Sequence, residues 1–141
     1  MPSGHKGRRT AADYRYLAAA WGLLVFYRLS LALAPFRVVR RTLPASREGA
    51  APSWVLTRTR WAVGAAARVA FGATCLPQAL AANALLSLQG YASTIRIGVR
   101  RNDVGAIQAH AWLLSGDRVV VGDDGERLES FSTITDIGRS G

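Results

Sequence analysis

At Gly90 the apolar periodicity of this chain changes from about 3.6 residues to 2, which orders the fold as helices first and strands afterwards. Upstream, Ser53 is an N-cap for a helix running to about Phe71, with Val55, Ala62, Ala66 and Val69 on one face. Thr57, Arg60, Gly64 and Arg68 recur on another face, which reads as a solvated stripe. Gly72 breaks that helix, and Ala73, Thr74, Cys75, Leu76 and Pro77 open the next, which stops at Gly90. Its only polar residues between Cys75 and Gln89 are Gln78, Asn83, Ser87 and Gln89, so it is apolar nearly all round and is expected at the centre of the core. Downstream, Tyr91, Ser93, Ile95, Ile97 and Val99 alternate with Ala92, Thr94, Arg96, Gly98 and Arg100, the pattern of a strand with one face inward. Residues 101 to 105 turn the chain into a second strand, Ala106 to Ser115, and Gly116-Asp117 makes a two-residue turn into Arg118 to Gly122. Leu128, Phe131, Ile134 and Ile137, at intervals of three, fit either a further strand or a turn of helix.

The front of the chain has a different character. Residues 1 to 11 form a polar, basic tail, and the stretch from Asp13 to Leu33 is strongly apolar and ends at Pro35. Its length nearly spans a bilayer, but Arg28 within it and Gly22 favour a helix packed on a core or lying at an interface. A basic piece from Phe36 to Leu43 carries Arg37, Arg40 and Arg41, and Pro44 to Pro52 reads as a linker. Two parts are therefore expected, a basic helical extension over 1–50 and a folded domain over 51–141. The net charge of +9 lies wholly in the first 60 residues, which hold eleven Lys and Arg against two acids; the remainder is neutral. Any anionic partner is thus a matter for the front segment. A basic nucleic-acid or membrane-surface module is the non-enzymatic alternative, yet the chain has no aromatic-interleaved basic strand, zinc spacing or helix-turn-helix signature, and no nucleic acid is expected as partner. A single cysteine excludes an intrachain disulfide and structural zinc built on paired thiolates. Without a cleavable secretory signal, the chain reads as intracellular and cytoplasmic.

Three residues carry candidate chemistry. Cys75 opens a helix, where unpaired amides and the helix dipole stabilise a thiolate and can receive an oxyanion; the bland alternative is an inert cysteine packed as a small apolar group. His110 interrupts an apolar strand and shares a face with Gln108 and Trp112. With Gly116 and Asp117 as the turn, Ser115 pairs with Arg118, Leu114 with Val119, Trp112 with Val121, and His110 with Asp123. Opposed side chains have Cβ atoms about 5 Å apart, within reach of an imidazole–carboxylate hydrogen bond. Asp124 would point to the other face and Asp117 sits in the turn; a three-residue turn would instead put Gly122 opposite His110 and leave the carboxylate to a bulge. Cys75, His110 and Asp123 could also hold a metal, although no dense ligand cluster accompanies them.

Helix-terminal cysteine, strand histidine and a carboxylate on the following strand is the order of papain-like and transglutaminase-like triads. The segments Cys75-Leu76-Pro77-Gln78-Ala79-Leu80-Ala81, Ile95-Arg96-Ile97-Gly98-Val99-Arg100, Ala109-His110-Ala111-Trp112 and Val121-Gly122-Asp123 resemble the leader peptidases of lasso-peptide biosynthesis. The resemblance covers residues 53 to about 135, with Ala79 standing where many relatives carry a small hydroxyl residue. It implies an α+β transglutaminase-like (papain-like) fold, helices on a small antiparallel sheet, with Cys75 as nucleophile, His110 as base and later acid, and Asp123 orienting His110. It also implies hydrolysis of the leader–core bond of a lasso-peptide precursor, with acyl transfer as the alternative outcome, and no cofactor. The front segment has no room for a recognition domain, so the implied partners are a separate leader-recognition protein and the ATP-dependent macrolactam cyclase. Peripheral membrane contact through the N-terminal helices is a further expectation.

Overall fold

A computed structural model of the chain describes residues 11–39, 41, 49, 51–69, 75–101, 103–116, 118–122 and 131–137. The elements run α1 (Ala11–Leu33), α2 (Phe36–Val39), α3 (Ser53–Val69), α4 (Cys75–Leu88), β1 (Thr94–Arg101), β2 (Ile107–Ser115), β3 (Arg118–Val121) and β4 (Ser132–Ile137). The helices precede the strands, as the change of period at Gly90 requires. The strands form one antiparallel sheet in the order β3-β2-β1-β4, so the tail undecided between helix and strand is an edge strand beside β1.

Helix α4 is the centre of the core. Residues Ala79 to Ser87 are all buried, and the helix packs against α1, α3, β1, β2 and β3. Its two internal polar side chains need partners at that depth. Asn83 finds them just before β1, donating to the Ser93 hydroxyl at 2.7 Å and to the Ser93 carbonyl at 3.4 Å. The helix ends in a Schellman motif, with Tyr91 N–H bonded to Leu86 O and Gly90 N–H to Ser87 O, both at 3.0 Å. Gly90 takes the left-handed φ of 92° that this ending needs. The chain reverses there, and β1 returns antiparallel to α4. The first turn of α4 and the far end of β1 therefore lie at the same end of the domain.

Helix α1 contributes Ala20, Leu24 and Tyr27, one above another on a single face, to the core that α3 and α4 share. An ion pair of 3.0 Å between Arg58 and Asp13 ties α1 to α3, with the Arg58 guanidinium over the rings of Tyr16 and Trp54. Phe26, Leu29 and Leu33 remain exposed on the opposite side and Trp21 on the flank. Among the described residues α1 is the one helix long and apolar enough to cross a membrane.

Candidate active site

Cys75 is the first residue of α4 and half-buried. Amides of a first turn have no partner within the helix, so its own N–H is available to an oxyanion. Pro77, in that same turn, removes a donor that the helix does not use.

His110 lies in β2 opposite Gly98, between Arg96–Trp112 and Arg100–Gln108 pairs. The absence of a side chain at Gly98 lets aromatic rings close over the strand. A Cβ there would come within 2.9 Å of Phe131 Cβ and 3.0 Å of Trp112 Cη2. The imidazole stacks on Phe131 at 5.4 Å and on Trp112 at 5.9 Å, and the Arg100 guanidinium sits 4.4 Å from the Phe131 ring centre. Trp112 and Phe131 also meet each other, at 5.8 Å, so the imidazole is one corner of a three-ring cluster that fixes its position. Its Nε2–H donates to the Gly122 carbonyl at 2.5 Å. A carbonyl only accepts, so Nε2 carries a hydrogen, and in the neutral ring the basic nitrogen is then Nδ1.

The hairpin register departs from the one expected. Ser115 pairs with Arg118 and Leu114 with Val119, as the two-residue turn predicts, but Val121 then faces Leu113 and not Trp112. A bulge between Leu113 and Leu114 adds a residue on the β3 side. It brings Gly122 against Trp112, where a Cβ would lie 2.6 Å from Trp112 Cβ and 2.7 Å from its Cα. Gly122 also has φ of 99°, which only glycine adopts readily. Asp123, together with Asp117 and Asp124, lies outside the described residues. The expected pairing of His110 with Asp123 therefore falls outside the described residues, and the described partner of the imidazole is the carbonyl of the preceding residue, Gly122.

Gly122 is also a point of contact with the cysteine helix. A groove of about 620 Å³ runs between α3 and the end of β3, and its wall includes Val121, Gly122 and Gln78, one helical turn after Cys75. His110 and Cys75 are therefore brought to the same end of the domain. By strand alternation His110 is on the sheet face opposite Leu113, which packs in the core with α4. Among the described residues no hydrogen bond joins the thiol to the imidazole, and no cluster of three His, Cys, Asp or Glu could hold a metal. The supports that sequence reasoning missed are Phe131 and Gly98. A glycine inside an alternating strand was the available signal for the second.

A four-stranded antiparallel sheet with a buried helix headed by cysteine agrees with the match to known families. The transglutaminase-like superfamily model covers residues 20–136. This chain belongs to the transglutaminase-like superfamily. Members of that superfamily are typically cysteine-dependent enzymes and include peptidases and acyl transferases. The matched region begins within α1, the helix whose Ala20, Leu24 and Tyr27 share the core with α4. No match is found among curated proteins or among solved structures.

Proposed function

We propose that this transglutaminase-like chain is a cysteine peptidase that releases the leader of a ribosomally made lasso-peptide precursor. What carries the reading is the bond from His110 Nε2–H to the Gly122 carbonyl, which leaves Nδ1 as the basic nitrogen. Gly122 immediately precedes Asp123 and shares a groove wall with Gln78, beside the helix that Cys75 heads. In this mechanism His110 Nδ1 takes the Cys75 proton as Sγ attacks the scissile carbonyl. The tetrahedral oxyanion is received by the Cys75 backbone N–H at the head of α4. Collapse breaks the C–N bond, and His110 returns the proton to the departing amine, which is the freed N-terminus of the core. The leader remains as a thioester on Cys75. His110 then deprotonates water for attack on that thioester, which yields leader acid and free thiol. Asp123 stabilises the imidazolium formed in each half-reaction. The chain acts without a cofactor, in the cytoplasm, on precursor delivered by a separate recognition protein, and the ATP-dependent cyclase consumes the freed core.

Mass spectrometry of precursor incubated with the chain and the recognition protein tests this. Free leader acid and core are expected, and Cys75→Ala should lower the rate by at least about a thousandfold while its circular dichroism stays unchanged. An amide of the leader with an added amine would show acyl transfer instead. Undiminished cleavage by Cys75→Ala would sink the triad.

A further inference from the structure

The stripe Thr57, Arg60, Gly64 and Arg68 looks, from sequence alone, like an ordinary solvated helix face. In the folded chain it forms one wall of a groove. The 620 Å³ cavity beside Gln78 and Gly122 adjoins a second, of about 410 Å³, that shares Thr57 and Arg60 and reaches Arg118 on β3. Together they follow α3 along β3, which is an edge strand of the sheet. The lining has three guanidiniums, those of Arg60, Arg68 and Arg118, and no carboxylate among the described residues. The wall between Arg60 and Arg68 is low, because Gly64 has no side chain and a Cβ placed there would meet nothing within 4 Å. Trp61 supplies an apolar surface in the same stretch.

We infer that the α3–β3 groove binds an extended, acidic peptide segment, with carboxylate side chains of the segment on Arg60 and Arg68. This deepens the peptidase reading and rests on it only for which peptide arrives, since one end of the groove adjoins the cysteine helix at Gln78. The fit is metric as well as electrostatic. Eight helical residues separate the two arginines by about 12 Å, the rise of roughly four residues of extended chain. An edge strand on the opposite wall suits an extended occupant, which can take main-chain hydrogen bonds from it.

The test uses the full chain with Cys75→Ala, so that nothing turns over, and a fluorescein-labelled ten-residue Gly/Ala/Ser peptide carrying two Glu four positions apart. Anisotropy should show the Glu peptide binding about fivefold to tenfold tighter than its Gln counterpart, with the difference shrinking as salt rises. Gly64→Phe fills the groove and should abolish saturable binding, whereas Gly64→Ala should retain it; neither should unfold a helix from which glycine is being removed. Arg68→Glu should weaken the Glu peptide by a similar fivefold to tenfold and spare the Gln peptide. Equal binding of the two peptides, or a folded Gly64→Phe that binds like the parent, overturns the groove. Precursor cleavage in the Cys75 chain separates the two readings. Cleavage untouched by Gly64→Phe removes the groove and leaves the peptidase, and Glu-selective binding by a chain that never cleaves does the reverse.

Discussion

Gly122→Ala is the substitution for which the structure fixes a magnitude most directly. Two costs add at that position. An L-residue at φ of 99° pays about 1–2 kcal/mol for the left-handed backbone. The new methyl would then lie 2.6 Å from Trp112 Cβ, 2.7 Å from Trp112 Cα and 2.8 Å from the Ala111 carbonyl oxygen. None of these atoms is the end of a flexible side chain, so the strand itself must shift, at about 1–3 kcal/mol. The expected destabilisation is about 2–5 kcal/mol, or roughly 6–15 °C in the thermal midpoint for a domain of this size.

Gly98→Ala is the calibrating partner, since it carries no positive φ and meets Phe131 Cβ at 2.9 Å and the Trp112 ring edge at 3.0 Å. It should cost about 1–3 kcal/mol, with only the clash to accommodate. Urea denaturation gives both values. Nitrogen-15 NMR of the imidazole gives the second consequence, because a displaced Gly122 carbonyl no longer fixes the hydrogen on His110 Nε2. The parent should show one dominant tautomer and Gly122→Ala a mixture, with cleavage reduced even at temperatures where the variant is folded. A Gly122→Ala chain within about 0.5 kcal/mol of the parent and with the same tautomer would refute both the bulge and the role given to that carbonyl.

Two further predictions concern stability away from the site. Thr59 is buried in α3 and its Oγ1 has no hydrogen-bond partner among the described residues, so Thr59→Val, which keeps the shape and removes the hydroxyl, should stabilise by about 1 kcal/mol in urea titration. Tyr16, whose hydroxyl donates to Gln89 Oε1, has its phenol pushed above the ordinary value of 10.0, chiefly by burial. The folded chain therefore holds that proton more tightly than the unfolded chain does. The resulting stability is complete below about pH 10 and is lost as pH rises through the higher folded value, so Tyr16→Phe should flatten the alkaline limb of the stability–pH curve.

The parts of the architecture legible in the sequence were those governed by repetition. The helix-to-strand switch at Gly90, the buried α4 and the two-residue turn at Gly116 follow from spacing, and spacing survives folding unchanged. The register beyond the turn was different in kind. Val119, Val120 and Val121 are chemically alike, so sliding β3 by one residue costs the sequence pattern nothing, and only the close approach of Gly122 to Trp112 shows which slide occurred. That single bulge sets Gly122 against Trp112, at the end of β3 where the Gly122 carbonyl meets His110 Nε2. The α3 stripe was opaque for a related reason. Helical periodicity tells which residues share a face but not what stands across from them, and Arg60 and Arg68 differ from an ordinary solvated pair only because β3 ends opposite them. Both surprises therefore come from one place, the end of β3, where Gly122 sets the histidine on one side and closes the groove on the other. A perturbation there should move imidazole tautomer and peptide binding together, whereas Gly64→Phe should move binding alone. That pattern distinguishes a strand end serving two functions from two independent sites.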